Sequence, residues 1–167
     1  MSVTLVLGGA RSGKSRFAES LCHVPRTYIA TAQAFDVEMS ERIAKHRVDR
    51  GGAWVTLEAP LDLVGALQEA RGNVLLDCLT LWLSNLLMAE MPVEPELDAL
   101  IAQLSKIDGK VVIVSNELGL GLVPEHGLSR RFRDLHGMMN QRVAALAESV
   151  VLVVAGIPLA IKGQLPK

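Results

Sequence analysis

The chain has 167 residues, half of them hydrophobic and only 4% aromatic, enough for one domain with an aliphatic core and no need of disulfide or metal staples. Its 17 basic and 18 acidic residues leave a formal net charge of -1, so no general electrostatic pull draws it to nucleic acid or to an anionic membrane. Cys22 and Cys78 lack C-x-x-C spacing, which excludes a disulfide framework or a cysteine-based zinc site and suits core filling in a reducing compartment. No apolar run is long enough to span a bilayer and no leader-like start is seen, so a cytoplasmic location is expected.

The first predicted strand, Val3-Thr4-Leu5-Val6-Leu7, leads directly into Gly8-Gly9-Ala10-Arg11-Ser12-Gly13-Lys14-Ser15, which reads G-x-x-x-x-G-K-S. Strand before and helix after give the pattern the context of a P-loop. Gly8, Gly9 and Gly13 let the backbone bend so that successive N–H groups face one concavity. Lys14 can reach β- and γ-phosphates, and the Ser15 hydroxyl can ligate a phosphate-bound Mg²⁺. The helix starting at Lys14 adds its N-terminal partial positive charge to that anion site. A nucleoside triphosphate is therefore the expected ligand.

Residues 16–23 continue as a helix, stopped by Val24-Pro25, and residues 27–31 read as a strand. A polar, helix-compatible stretch over residues 36–50 is closed by Gly51-Gly52. Residues 54–57 form a short strand, 60–71 a helix, and 73–77 a strand too apolar to lie exposed. Residues 79–89 read as a helix, broken by Met91-Pro92-Val93-Glu94-Pro95 before another over residues 96–106. Asp108-Gly109 turns into residues 110–115, the most β-like run in the chain. Residues 128–148 carry Phe132, Leu135, Met139, Val143 and Leu146 at helical spacing. Residues 150–154 are a last buried strand, followed by an apolar tail compatible with one edge strand.

Strands alternating with helices predict an α/β fold with a mostly parallel sheet covered on both faces, built as a single domain over residues 1–167. In such a sheet ligands gather beyond the carboxyl ends of the strands. Asp77 ends the run Val74-Leu75-Leu76 and has the context of a magnesium-holding carboxylate, with helix capping before Leu79 as the alternative. Arg42, His46 and Arg50 are four apart and share one helix face. Spacing alone favours a solvated basic helix there, although neighbouring cations would keep His46 neutral and nucleophilic.

Glu117 follows the strand ending at Ser115-Asn116 and opens a glycine-containing loop that either presents a carboxylate to substrate or merely connects strand to helix. The absence of N-K-x-D at this point counts against a signalling GTPase. Arg130, Arg131 and Arg133 cluster at the start of the last long helix, where a solvated helix end is slightly preferred over phosphate or subunit binding. His23, His126 and His136 have no metal-site spacing and receive no function.

Over nearly its whole length the chain resembles the bifunctional adenosylcobinamide kinase / adenosylcobinamide-phosphate guanylyltransferase family of cobalamin biosynthesis. The resemblance rests on the P-loop, Tyr28-Ile29-Ala30-Thr31-Ala32, Arg42-Ile43 with His46-Arg47, Trp54 through Pro60, and Asp77-Cys78-Leu79-Thr80-Leu81-Trp82-Leu83. It continues in Ser115-Asn116-Glu117 through Pro124, Arg130 to Gly137, Asn140-Gln141 and Gly156-Ile157-Pro158-Leu159. It implies a RecA-like P-loop fold, a homotrimer, and two reactions at one nucleotide site. ATP or GTP would phosphorylate the aminopropanol hydroxyl of adenosylcobinamide. GMP would then pass from GTP to adenosylcobinamide phosphate, giving adenosylcobinamide-GDP and pyrophosphate.

The resemblance also makes His46 the carrier of a guanylyl intermediate, reversing the preference from spacing. It implies nucleotide contacts at Gly8, Gly9, Ala10, Arg11, Ser12, Gly13, Lys14 and Ser15, at Ala32, Gln33 and Ala34, at Arg47, Val48, Asp49 and Arg50, and at Glu58, with Mg²⁺ on Ser15 and Asp77. A monofunctional P-loop kinase for a small molecule is the alternative, distinguished by having no use for a nucleophilic histidine. A nucleotide-dependent protein switch is a more distant one.

Overall fold

The computed structural model describes residues 2–34, 37, 40, 41, 44 and 51–166. The apolar runs become seven strands of one sheet: β1 (Ser2–Gly8), β2 (Arg26–Ala30), β3 (Val55–Glu58), β4 (Asn73–Asp77), β5 (Lys110–Asn116), β6 (Ser149–Val154) and β7 (Ile157–Lys162). Among the described residues the helices between them are α1 (Lys14–Ser20), α2 (Leu63–Glu69), α3 (Leu79–Met88), α4 (Val93–Leu104) and α5 (Gly127–Leu146). The helix expected over residues 36–50 lies largely outside the described residues, and His46, Arg47, Val48, Asp49 and Arg50 lie wholly outside them.

The strand order is β3-β2-β4-β5-β1-β6-β7. All neighbours run parallel except β7, which pairs antiparallel with β6. β5 thus separates the P-loop strand β1 from β4, the strand ending in Asp77, which is the RecA-like arrangement. Strand alternation divides the core in two. On one face Val111 and Ile113 of β5 join the buried residues of α2, α3, α4 and α5; on the other Val112 and Val114 join Ala18 and Leu21 beside α1. Both faces are covered, as the alternating strand and helix pattern requires.

Two helix boundaries depart from expectation, while the tail forms the expected edge strand. α4 starts at Val93 rather than Glu96, because Pro95 falls in its first turn, where a missing N–H removes no intrahelical bond. α2 is shorter than residues 60–71: Asp62 caps it, its Oδ1 accepting from the Gly65 amide at 2.7 Å, and Ala70 is already extended with ψ 148°. The tail forms the edge strand β7 through Ala155-Gly156, whose φ values of 51° and 79° match a two-residue type I′ hairpin turn. That turn is functional scaffolding, since the Gly156 amide donates to the Ser12 carbonyl at 2.8 Å and so braces the loop after β1.

Candidate active site

The loop after β1 has the backbone its glycines allow. Gly13 sits at φ 92°, in the left-handed region, and hands over to α1 through Phe17 N–H donating to its carbonyl at 3.0 Å. Gly8 is needed for space: a Cβ there would collide with Ser12 Oγ and lie 2.8 Å from the Val153 carbonyl. The Lys14 ammonium crosses the loop to donate to the Gly9 carbonyl at 3.1 Å. Glu117 N–H donates to the Gly8 carbonyl at 3.1 Å, fixing the loop to the end of β5. Ser12 Oγ is buried and has no partner among the described residues, a polar atom suited to a ligand oxygen.

Register brings the other edge residues level. Gly8 is opposite Asn116 of β5, while Ala30 of β2 is opposite both Asp77 and Glu58. Asp77 does not cap α3: Cys78 is the capping residue, with no side-chain capping bond. The Asp77 carboxylate instead accepts from the Tyr28 hydroxyl at 3.0 Å. The Tyr28 ring packs edge-on against Trp54 with centroids 5.8 Å apart, and the Arg26 guanidinium lies 4.3 Å over the Trp54 ring. One lone-pair site of Asp77 is therefore taken by a donor whose position is set by aromatic packing.

Thr31 ties β2 to the same corner. Its hydroxyl donates to the Cys78 carbonyl and accepts from the Cys78 amide, both at 2.8 Å, and its own carbonyl accepts from Asn85 Nδ2 at 2.8 Å. Ala32 and Gln33 leave this anchor half-buried and Ala34 is exposed. Glu58 is exposed at the end of β3, on the wall of a cavity of about 580 Å³ shared with Asp62 and Glu69 of the α2 region. Burial pushes the Cys78 thiol up to about 12, with the Asp77 charge adding and Lys14 opposing, and pushes Cys22 up to about 11. Neither is a thiolate at neutral pH, in keeping with core filling.

A buried polar cluster lies behind β5 that sequence reasoning did not find. His136 Nε2 pairs with Thr80 Oγ1 at 2.9 Å, and Ser115 Oγ donates to Asn140 Oδ1 at 2.7 Å. Thr80 Oγ1 accepts from the Asn116 amide at 2.9 Å and Asn140 Nδ2 donates to the Asn116 carbonyl at 3.0 Å. Both backbone groups of Asn116 are thus held from the α3 and α5 side, one residue before the Gly8 contact. Burial lowers the pKa of His136, against the opposing charge of Glu117, so its imidazole stays neutral and structural.

Two of the three arginines at the start of α5, Arg130 and Arg133, clamp the preceding loop. Arg133 donates to the carbonyls of Gly119 at 2.7 Å and Leu122 at 2.9 Å, and Arg130 to those of Pro124 at 3.0 Å and Glu125 at 2.5 Å. Glu117 accepts from the Gly119 amide at 2.6 Å. Among the described residues no group of His, Cys, Asp and Glu could by itself hold a metal ion, and no helix is long and apolar enough to cross a membrane. The structure thus gathers the P-loop, Asp77 and Glu117 along one sheet edge, with Ala32, Gln33 and Glu58 at its β2–β3 end.

Comparison with known proteins gives this edge a family. The model described as cobinamide kinase / cobinamide phosphate guanyltransferase matches residues 4–161. The "Bifunctional adenosylcobalamin biosynthesis protein CobP" of Pseudomonas aeruginosa is 49% identical, over 96% of this chain and 97% of that protein. Two proteins named "Bifunctional adenosylcobalamin biosynthesis protein CobU" are 44% identical in Salmonella typhimurium and 43% in Escherichia coli, each over 95% of this chain and 98% of the relative. Among solved structures, the P4 protein of bacteriophage phi13 aligns with a TM-score of 0.42 at 15% identity, over 95% of this chain and 53% of that one. This chain thus spans about half the length of that phage protein. The family match, running from β1 into β7 and taking in the P-loop and Asp77, shows that the chain belongs to the cobinamide kinase / cobinamide phosphate guanyltransferase family.

Proposed function

We propose that this chain phosphorylates the aminopropanol hydroxyl of adenosylcobinamide with ATP or GTP, then transfers GMP from GTP to the resulting phosphate. The observation that carries this reading is the P-loop braced by β5 and by the β6–β7 turn, on the same sheet edge as a carboxylate fixed by Tyr28. In the kinase step the Lys14 ammonium and the amides of Gly8 through Ser15 would disperse the charge of the transferring γ-phosphoryl group.

The Ser15 hydroxyl and Asp77 carboxylate are the hard oxygen donors Mg²⁺ prefers, and α1 packs against both β5 and β4, which brings these two residues' elements together. When bound there, Mg²⁺ would neutralise phosphate charge. Tyr28 would keep the Asp77 carboxylate oriented toward it.

In the transferase step a neutral His46 nitrogen attacks the α-phosphorus of GTP, forming an N–P bond while the bond to pyrophosphate breaks. An oxygen of adenosylcobinamide phosphate then attacks that phosphorus, and the N–P bond breaks to regenerate the imidazole. Arg42 and Arg50, four residues away on either side in the sequence, would support the neutral form of His46 and attract the phosphates. Ala32, Gln33, Ala34, Arg47, Val48, Asp49, Arg50 and Glu58 complete the nucleotide site in this reading. The Glu58 carboxylate matches the N–H edge of guanine.

A homotrimer in the cytoplasm is part of the same reading. The edge strand β7 exposes Ile157, Leu159 and Ile161 beside Val154, an apolar stripe that another copy of the chain would cover. Incubation with adenosylcobinamide, GTP and Mg²⁺, followed by mass analysis of the corrinoid, tests the function. Adenosylcobinamide-GDP with pyrophosphate is expected; adenosylcobinamide phosphate as the end product, with excess GTP remaining, would make the chain a monofunctional kinase.

A further inference from the structure

Two substrates of unlike chemistry require two unlike surfaces, and the nucleotide edge accounts for only one. We infer that the apolar cavity between α3, the 117–125 loop and the start of α5 seats one edge of the corrin macrocycle of the acceptor. This inference rests on the function proposed above.

The cavity measures about 530 Å³, and its walls include Leu87, Met88, Leu118, Leu122 and Phe132. That volume falls within the roughly 300–1,000 Å³ of small-molecule sites, enough for part of a large ring. Its lining contains no carboxylate and one cation, Arg133, whose guanidinium is engaged by the Gly119 and Leu122 carbonyls. A nucleotide would find neither an anion cradle nor a base-reading acid there. A macrocycle with methylated faces and amide arms fits better: apolar walls meet the faces, and the Ser84 and Ser129 hydroxyls can pair with the amides.

Continuity with the reaction edge separates this cavity from an incidental surface groove. Thr80 bonds the Asn116 amide, and the next residue, Glu117, bonds the Gly8 carbonyl. Ser84 stands one helical turn beyond Thr80, about 6 Å along α3, and β5 is about 4.8 Å from β1. The cavity walls are therefore linked to the P-loop through this short chain of contacts, and the flexible arm ending in the acceptor hydroxyl would bridge the remaining gap. The wall is also presented on a fixed backbone, since Arg130 and Arg133 hold four loop carbonyls while Leu122 remains 96% exposed. Clamping an apolar side chain in water loses burial unless a ligand covers it.

The test uses Leu122→Asp and Met88→Asp in the full chain, both at exposed positions where the core is untouched. Cobinamide binding is measured by equilibrium dialysis, alongside GTP binding and the subunit count in solution. Cobinamide should bind about tenfold more weakly, with GTP affinity and subunit count unchanged. Unchanged cobinamide affinity in both variants would overturn the inference. So would variants that dissociate into smaller species yet bind cobinamide as wild type, which would make the groove an interface between copies. Wild-type protein that fails to bind cobinamide at all would overturn the proposed function itself, and this inference with it.

Discussion

Replacing His46 by alanine should reduce GMP transfer by about 10⁴-fold or more, while phosphorylation of adenosylcobinamide stays within a few-fold of wild type. The asymmetry follows from the roles assigned to each group. The kinase step needs positioning and charge dispersal around a γ-phosphoryl group, which the loop amides and Lys14 supply without a covalent intermediate. The transferase step in this account passes through an N–P bond to the His46 imidazole, and His136 cannot take its place. His136 is buried in a hydrogen-bonded cluster and held neutral there, serving the backbone of Asn116. Pyrophosphate release dependent on adenosylcobinamide phosphate reports the second step, and nucleoside diphosphate formation reports the first. Equal loss of both activities in folded protein would mean that His46 shapes the nucleotide site rather than carrying GMP.

Lys14→Ala should instead lower both activities together, each by about 10² to 10³-fold, because one loop serves both reactions. The substitution is mild for the fold. Lys14 is half-buried and its described hydrogen bond is to the neighbouring Gly9 carbonyl, whereas the loop is held by the Gly156 amide on Ser12 and the Glu117 amide on Gly8. The thermal midpoint should therefore change little while kcat falls for both steps. If only one activity fell, the phosphoryl and guanylyl transfers would occupy separate phosphate sites.

Sequence legibility tracked how local each cause was. The P-loop could be read because its chemistry is written in eight consecutive residues, and β1, β2, β4 and β5 because their apolar runs are buried on both sides. The family resemblance was borne out by matches over nearly the whole chain. The sequence reads Asp77 as a magnesium carboxylate, with helix capping as the alternative. The structure removes capping, but the reason is a bond from Tyr28, 49 residues away in sequence.

Long-range partners account for the other gaps. His136 looked unpartnered because Thr80 lies 56 residues and Ser115 21 residues from it; only its i, i+4 spacing with Asn140 on an apolar helix face offered a hint. Arg130 and Arg133 read as a charged helix start because their partners are backbone carbonyls, which no side-chain pattern reveals. The start of α4 departs for the opposite reason: the sequence reads Pro92 and Pro95 as breakers, yet a proline in a first turn has no hydrogen bond to break.

The most direct measurement of the central claim is the intact mass of the protein after incubation with GTP and Mg²⁺, followed by peptide mapping under mildly alkaline conditions that preserve a phosphoramidate. The account predicts one GMP added per chain, located on His46, absent when ATP replaces GTP, and discharged by adenosylcobinamide phosphate. Folded protein that binds GTP, forms no such adduct and transfers no GMP to adenosylcobinamide phosphate would contradict it, leaving a P-loop kinase whose acceptor must be sought afresh.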